Sequence, residues 1–187
     1  SDIPKEYTGN CYAGGYALEV KNGRITWSKN MKTNKITRPG SKKSTVKTKK
    51  LKGSYYKIIS KSKRTVQYVK PVKKNIISVI IPSSIKFNGK RYKVTGIAAN
   101  AFKNCKKLKK VTIGINVNSI GKRAFYGCSK LQTIKVKTSK LTGSRVGKQA
   151  FKGLNKKAVI KVPKKQLKAY KRLFRVKGVG KKVTIKK

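Results

Sequence analysis

The sequence predicts an α+β solenoid in which each repeat holds a strand and a short helical segment. β-Hairpins precede the repeats and a single helix follows them. Three observations predict this class: a recurring apolar pattern over residues 97–162, alternating apolar residues around Asn-Gly pairs before it, and an amphipathic pattern after Pro163. Repeats of about 20–50 residues cannot bury an apolar face alone and must stack on their neighbours.

The first two repeats have the same apolar positions at a shift of 23 residues, and a third copy follows at a shift of 26. Alternation in 111–113 and 134–136 predicts half-buried strands, while spacings of three and four before them predict one or two helical turns. The predicted structural repeat core is Ile97, Phe102, Cys105, Leu108, Ile120, Phe125, Cys128, Leu131, Phe151 and Leu154.

Residues 1–54 are predicted to form an N-terminal β-hairpin and a basic extended segment. Tyr16, Leu18 and Val20 alternate before Asn22-Gly23, and alternation resumes after it. Asn-Gly between alternating strands favours a type I′ turn, because both turn positions need positive φ.

Residues 55–187 are predicted as a second domain with leading strands (55–96), repeats (97–162) and a C-terminal cap (163–187). Among the leading strands, Asn88-Gly89 predicts a hairpin by the same turn chemistry. The β-branched run at 76–81, stopped by Pro82, predicts a buried strand. After Pro163, an apolar stripe predicts a capping helix, as an open solenoid end requires.

The charge balance excludes most enzyme chemistry. The chain has 52 Lys plus Arg against 3 Asp plus Glu, no His, and no carboxylate side chain after Glu19. Acid–base pairs, an imidazole to activate a nucleophile, and carboxylate or imidazole metal ligands are therefore missing from the repeats. We expect a protein that is not an enzyme, with no catalytic residues, no metal and no cofactor.

Cys105 and Cys128 occupy the same place in adjacent repeats. Buried reduced cysteines that stack as small apolar residues are the favoured interpretation. A redox or metal pair is the alternative, but no further ligand accompanies them. A disulfide between the two repeats also stays open and would require close Cα atoms.

Residues 97–113 read Ile-x3-Ala-Phe-x2-Cys-x2-Leu-x2-Val-x-Ile. This pattern resembles the BspA-like leucine-rich repeat, also called the Treponema pallidum type, and the resemblance covers residues 76–187. Basic versions with the tail Val-Pro-Lys-Lys, here at 162–165, are similar to secreted or surface proteins of gut Firmicutes. The resemblance implies a short leucine-rich-repeat solenoid, an extracellular or cell-surface location, and adhesion or host-protein binding in some relatives.

Two further observations bear on that location. No stretch approaches the roughly 18 apolar residues of a membrane span. The sequence begins Ser-Asp-Ile-Pro, without the basic start and apolar core of a secretion signal. We expect an exported protein of this kind to have lost its signal already.

The lysines are the leading candidates for binding. The net charge of +49 far exceeds the magnitude of about 2–8 that keeps a small domain soluble. Since 44 of the 52 basic residues are Lys, we expect diffuse attraction to anionic polymers such as teichoic acids, acidic glycans or extracellular DNA. The candidate polyanion-binding residues are Lys106, Lys107, Lys109, Lys110, Lys135 and Lys137.

Aromatic residues outside the repeats are a second set of candidates, because a ring with a polar tip serves binding surfaces as well as cores. The candidate contacts are Trp27, Tyr16, Tyr56 and Tyr68. Two alternative functions stay open. The repeats are a structural stalk with the binding site in residues 1–54, or the chain binds nucleic acid, which the low Arg content disfavours.

Overall fold

The computed structural model describes residues 9–13, 16–21, 24–30, 36–37 and 48–187, with side chains from residue 48 onward. The chain divides into two compact units, residues 1–46 and 47–187. Residues 48–54 belong with the second unit because β5 (Thr48–Leu51) pairs with β6 (Ser54–Ser60). The division therefore falls earlier than the boundary after residue 54 that composition suggests.

The first unit contains a four-stranded sheet in which neighbouring strands are antiparallel and follow chain order. Its strands are β1 (Gly9–Ala13), β2 (Tyr16–Lys21), β3 (Arg24–Asn30) and β4 (Ile36–Thr37). β2 and β3 flank the Asn22-Gly23 pair and are antiparallel, with Glu19 opposite Trp27. The predicted turn at Asn22-Gly23 lies outside the described residues.

The second unit begins with a sheet that leads into the repeats. This sheet contains β5 and β6 together with β7 (Thr65–Pro71), β9 (Ser84–Phe87), β10 (Lys90–Ile97) and β12 (Ser119–Ile120). Their order is β12-β10-β7-β6-β5, with β9 antiparallel to β10. Between β9 and β10, Asn88 and Gly89 have φ of 46° and 71°, the left-handed values that a type I′ turn requires.

A second, fully parallel sheet of five strands runs through the repeats, and we call it the repeat sheet. Its strands, in spatial order, are β8 (Ser78–Ile81), β11 (Lys110–Ile113), β13 (Thr133–Val136), β14 (Val159–Lys161) and β15 (Thr184–Lys186). The pairing is in register from repeat to repeat, so Val111 lies opposite Val79 on one side and Ile134 on the other. Equivalent residues therefore form continuous rows across the sheet.

Within residues 97–162 the segments between strands are turns and contain no helix, so the prediction of a short helical segment in each repeat is wrong. Asn100 and Asn104 have left-handed φ of 58° and 59°, which interrupts a helix. Their N–H groups donate to the next repeat, to Lys122 O at 3.0 Å and Tyr126 O at 2.8 Å. These donors bond between repeats, so they are not available for the i→i−4 bonds of a helix.

The core is a column of aromatic rings that crosses the repeats. Its first ring is Tyr68 and its last is Phe174; successive centroids are 5.1, 5.0, 5.5 and 5.0 Å apart through Phe102, Phe125 and Phe151. All five residues are fully buried. The predicted core positions are accordingly buried, except that Leu154 is half-buried.

Two glycines mark where the backbones of adjacent repeats touch. A Cβ added at Gly121 would lie 2.2 Å from Ala99 N, and one added at Gly147 would lie 2.3 Å from Lys122 N. Neither glycine has positive φ. Glycine is needed here because the neighbouring backbone fills the space, not because the turn demands a left-handed residue.

The only α-helix within residues 48–187 is α1 (Leu167–Val176), preceded by one 3₁₀ turn at Lys164–Gln166. Its apolar face buries Tyr170 and Phe174, and the Phe174 ring packs on Phe151 of the third repeat. The Tyr170 hydroxyl donates to Thr138 O at 3.0 Å and accepts from the Leu141 N–H at 3.1 Å. The helix therefore covers the third repeat, as the amphipathic pattern predicts.

Candidate functional site

The outward face of the repeat sheet changes character from one end to the other. Alternate residues of each strand point into the core, and the residues between them face outward. One outward row, followed through the register, is Ile80, Thr112, Lys135, Lys161 and Lys186. The row is thus apolar at β8 and basic over the last three strands.

The three lysines of that row form what we call the lysine ladder: Lys135, Lys161 and Lys186. They lie on consecutive strands, directly opposite one another in the register, and all three are exposed. Neighbouring strands lie about 4.8 Å apart, so the ladder extends over roughly 10 Å. Like charges placed directly opposite across strands are unfavourable, and an anion bound along the ladder would relieve that repulsion.

No side chain in the described repeats can neutralise the ladder. Asp and Glu are absent from residues 20–187, so no ion pair forms there. The backbone below the ladder is rigidly held by the parallel pairing of β13, β14 and β15. The result is a row of positive charge that no Asp or Glu within residues 20–187 can neutralise.

The six lysines predicted from sequence are all exposed, but they occupy three different places. Lys135 is part of the ladder. Lys110 begins β11 opposite Thr133, and Lys137 follows β13 with its N–H donating to Ile113 O at 3.0 Å. The other three lie in the turn before β11: Lys106, Lys107 and Lys109.

Lys161 and Lys186 were missed by the sequence prediction. A signal for both is present, since Lys follows a core isoleucine in 134–135, 160–161 and 185–186. Aligning the strands of all repeats, rather than the first two, would have found the ladder.

Two of the predicted aromatic contacts are buried, so the prediction that they meet a ligand is wrong for them. Tyr68 is fully buried and Tyr56 is 5% exposed. Their rings meet edge to face at 5.4 Å, and the Tyr68 hydroxyl accepts from Ser54 Oγ at 3.1 Å. Tyr68 is the first ring of the aromatic column, and Tyr56 packs against it. Tyr16 and Trp27 lie in β2 and β3, and their side chains fall outside the described part of the chain.

Cys105 and Cys128 are buried free thiols. The Cys128 thiol donates to Phe102 O at 3.1 Å. Burial raises the pKa of Cys128 to about 12 and also raises the pKa of Cys105. Both thiols therefore stay protonated and unreactive at neutral pH. Within the described residues, no three Cys, His, Asp or Glu side chains come together as a metal site needs.

The family comparison agrees with this geometry. The pattern described as "BspA type Leucine rich repeat region" matches residues 72–187 in six copies. The chain belongs to the BspA-type leucine-rich repeat family. The match extends beyond the three repeats predicted at 97–162 and includes β8 and α1.

Several solved leucine-rich repeat structures are similar to the chain. A leucine rich cell surface protein from Faecalibacterium prausnitzii is 20% identical over 63% of this chain and 37% of its own, with a TM-score of 0.48. A leucine-rich repeat protein from Bacteroides capillosus is 21% identical over 74% and 97%, with a TM-score of 0.49. The T. pallidum leucine-rich repeat protein is 19% identical over 62% and 71%, with a TM-score of 0.41.

The chain spans little more than a third of the first of these proteins, and the same holds for a leucine-rich repeat protein from Bacteroides ovatus, of which it covers 36%. No curated protein matches the sequence. Within the described residues, no helix has the length and apolar character to span a bilayer.

Proposed function

We propose that this BspA-type repeat protein is a secreted or cell-surface, non-enzymatic interaction protein whose lysine ladder binds anionic polymers. The observation that carries the proposal is the ladder itself, three exposed lysines in register on a parallel sheet within residues 20–187, which contain no Asp or Glu. The surface location follows from the resemblance of the repeats to secreted and surface members of the family.

The geometry favours a linear ligand over a small one. The ladder is a row of charges on an exposed sheet face and not a pocket, so an anion with repeated charges gains from each lysine in turn. Lysine ammonium groups act as hydrated point charges. The contact therefore does not require the fixed, bidentate geometry with which a planar arginine guanidinium recognises a particular phosphate or base. Teichoic acids, acidic glycans and extracellular DNA all present such repeated charges.

The proposal is tested by removing the ladder and, separately, removing the same charge elsewhere. The ladder triple is Lys135→Gln, Lys161→Gln and Lys186→Gln. The dispersed triple is Lys61→Gln, Lys63→Gln and Lys171→Gln, which are exposed lysines in the β6–β7 turn and on α1. Both variants lose three positive charges, so they differ only in where the charge was.

Affinities for teichoic acid, an acidic mucin glycan and DNA are then compared at one salt concentration. An exposed pair of unit charges at 4 Å interacts by about 1 kcal/mol in water, so loss of three aligned contacts should weaken binding at least about tenfold. The dispersed triple should weaken it clearly less. Equal weakening by both triples would show that binding follows net charge and not the ladder.

Deleting residues 1–46 distinguishes the proposal from a stalk whose binding site lies in the first unit. The cut falls at the division between the two compact units and leaves β5 paired with β6. We expect polymer binding to survive this deletion. Loss of binding would place the site in the first unit instead.

A further inference from the structure

The first strand of the repeat sheet has one edge that no described strand pairs with. Among the described residues, β8 pairs with β11 alone. Lys110 lies opposite Ser78, and the backbone N–H of Lys110 donates to Ile77 O at 3.2 Å. In regular parallel pairing, the backbone N–H and C=O of Val79 then form hydrogen bonds with β11. The N–H and C=O of Ser78 and Ile80 point away from β11, toward the open edge.

This edge strand carries no charged side chain to oppose strand pairing. Natural proteins protect an edge strand with charges, prolines or bulges. β8 contains no lysine although the chain has 44, and the side chains of Ile77 and Ile80 are 61% and 72% exposed. The predicted buried strand is therefore an edge strand with apolar side chains in solvent.

A groove of about 1060 Å³ runs beside this edge. Apolar side chains line it, among them Leu51, Tyr56, Val79 and Ile85. Ligand pockets are typically about 300–1,000 Å³, so this groove is large enough for several side chains of a polypeptide.

The rim of the groove is basic. Lys52, Lys86 and Arg91 line it, and the guanidinium of Arg91 donates to Ser84 Oγ at 3.1 Å, which holds it in place. An apolar floor with a basic rim complements a segment that carries both apolar and acidic side chains.

A second copy of the chain fits this groove poorly. Each chain carries a net charge of +49 and has no Asp or Glu beyond residue 19 to meet the basic rim. Two copies would repel each other strongly. The charge therefore favours a different, acidic partner.

We propose that the open edge of β8 and its groove bind an extended, acidic segment of another protein by strand addition. The partner's backbone pairs with Ser78 and Ile80, its apolar side chains enter the groove, and its carboxylates meet the rim. At about 3.3 Å per residue, the four residues of β8 match roughly 13 Å of partner strand. This site is separate from the lysine ladder and does not depend on the function proposed for it.

The test uses the full chain and a fluorescent peptide of about six residues that alternates glutamate and valine, a usual strand length. Ile80→Pro removes the N–H that faces the partner without removing a bond to β11, and proline is tolerated at such edge positions. We expect Ile80→Pro to weaken peptide binding at least about tenfold, and Ile80→Ala, which keeps the N–H, to weaken it less.

Two peptide controls keep the test decisive even if Ile80→Pro folds poorly. A peptide N-methylated at alternate residues on the pairing edge should bind far more weakly to the unaltered chain, and so should a peptide with glutamine in place of glutamate. Full binding by the N-methylated peptide would exclude strand addition, and full binding by the glutamine peptide would exclude recognition by the basic rim.

Two other results would overturn the proposal. If the ladder triple weakens peptide binding as much as Ile80→Pro does, the peptide binds the general positive field and not this edge. If sedimentation shows a dimer of the chain that Ile80→Pro dissociates, a second copy occupies the edge.

Discussion

The close approach of repeat backbones at Gly147 provides a quantitative test of the stacking. In Gly147→Ala, the new Cβ would lie 2.3 Å from Lys122 N and 2.8 Å from Gly121 C, both backbone atoms. Backbone cannot turn aside as a flexible side chain can, so the two repeats must separate. Gly147 does not have positive φ. Alanine can therefore adopt this backbone conformation, and the cost of the substitution comes from the close contact alone.

The expected loss in free energy of unfolding has two parts, overpacking at the new Cβ and weakened hydrogen bonds between the repeats. Overpacking alone costs about 1–3 kcal/mol. Separation also strains the bonds between the second and third repeats, among them Gly147 N–H to Ile120 O at 2.8 Å and Phe125 N–H to Ala150 O at 2.8 Å. With about 1 kcal/mol for each of two weakened bonds, we expect a total loss of about 3–5 kcal/mol.

Urea denaturation at fixed salt measures this loss, and Gly143→Ala is the matched control. Gly143 lies in the same repeat, has no heavy atom within 4 Å of an added Cβ, and does not have positive φ. The control should be neutral or stabilise by about 0.4–1 kcal/mol through the unfolded state. If Gly147→Ala falls within about 0.5 kcal/mol of Gly143→Ala, the repeats are not in backbone contact and the stacking described above is incorrect.

Three further predictions concern the core. Phe125→Leu loses ring contacts at 5.0 and 5.5 Å, each worth about 0.5–1.5 kcal/mol, so urea denaturation should show a loss of about 1–3 kcal/mol; no loss would mean that the rings do not stack. Tyr170→Phe leaves Thr138 O and the Leu141 N–H without their buried partner, so a similar loss of about 1–3 kcal/mol is expected, and an unchanged midpoint would contradict those bonds. Burial raises the pKa of Cys128 from 9.0 to about 12, so its contribution to stability is constant below pH 9 and falls as the pH rises from there toward 12. At pH 9, iodoacetamide should label this thiol far more slowly in the folded protein than in urea, as read by site-resolved mass spectrometry; equal rates would contradict its burial.

The parts of the fold that depend on local chemistry were predictable from sequence. The shift of 23 residues placed equivalent residues of the first two repeats in register. Asn88-Gly89 specifies its turn because both residues tolerate positive φ. The apolar stripe of α1 is evident because one helix face must be buried. The last two signals lie within a few residues of the structure that they determine, and the repeat shift can be read directly because both copies are in the sequence.

The parts that depend on neighbours distant in the sequence were not predictable. Asn100 and Asn104 make turns because their N–H groups bond the next repeat, and apolar spacing alone does not distinguish such turns from a helix. Tyr56 and Tyr68 are residue types that are common in binding surfaces, yet the Phe102 ring stacks on Tyr68 and helps to bury it. The edge position of β8 depends on which strands pair, a property of topology and not of the run at 76–81.

The most direct test of the lysine ladder is the salt dependence of binding to single-stranded DNA, measured for the unaltered chain, the ladder triple and the dispersed triple. Each lysine that neutralises a phosphate contributes about 0.7 to the slope of log affinity against log salt on a single strand. We predict that the ladder triple reduces the magnitude of the slope by about 2, while the dispersed triple leaves it nearly unchanged. Equal reductions in both triples, or a slope near zero in the unaltered chain, would contradict the assignment of polyanion binding to the ladder.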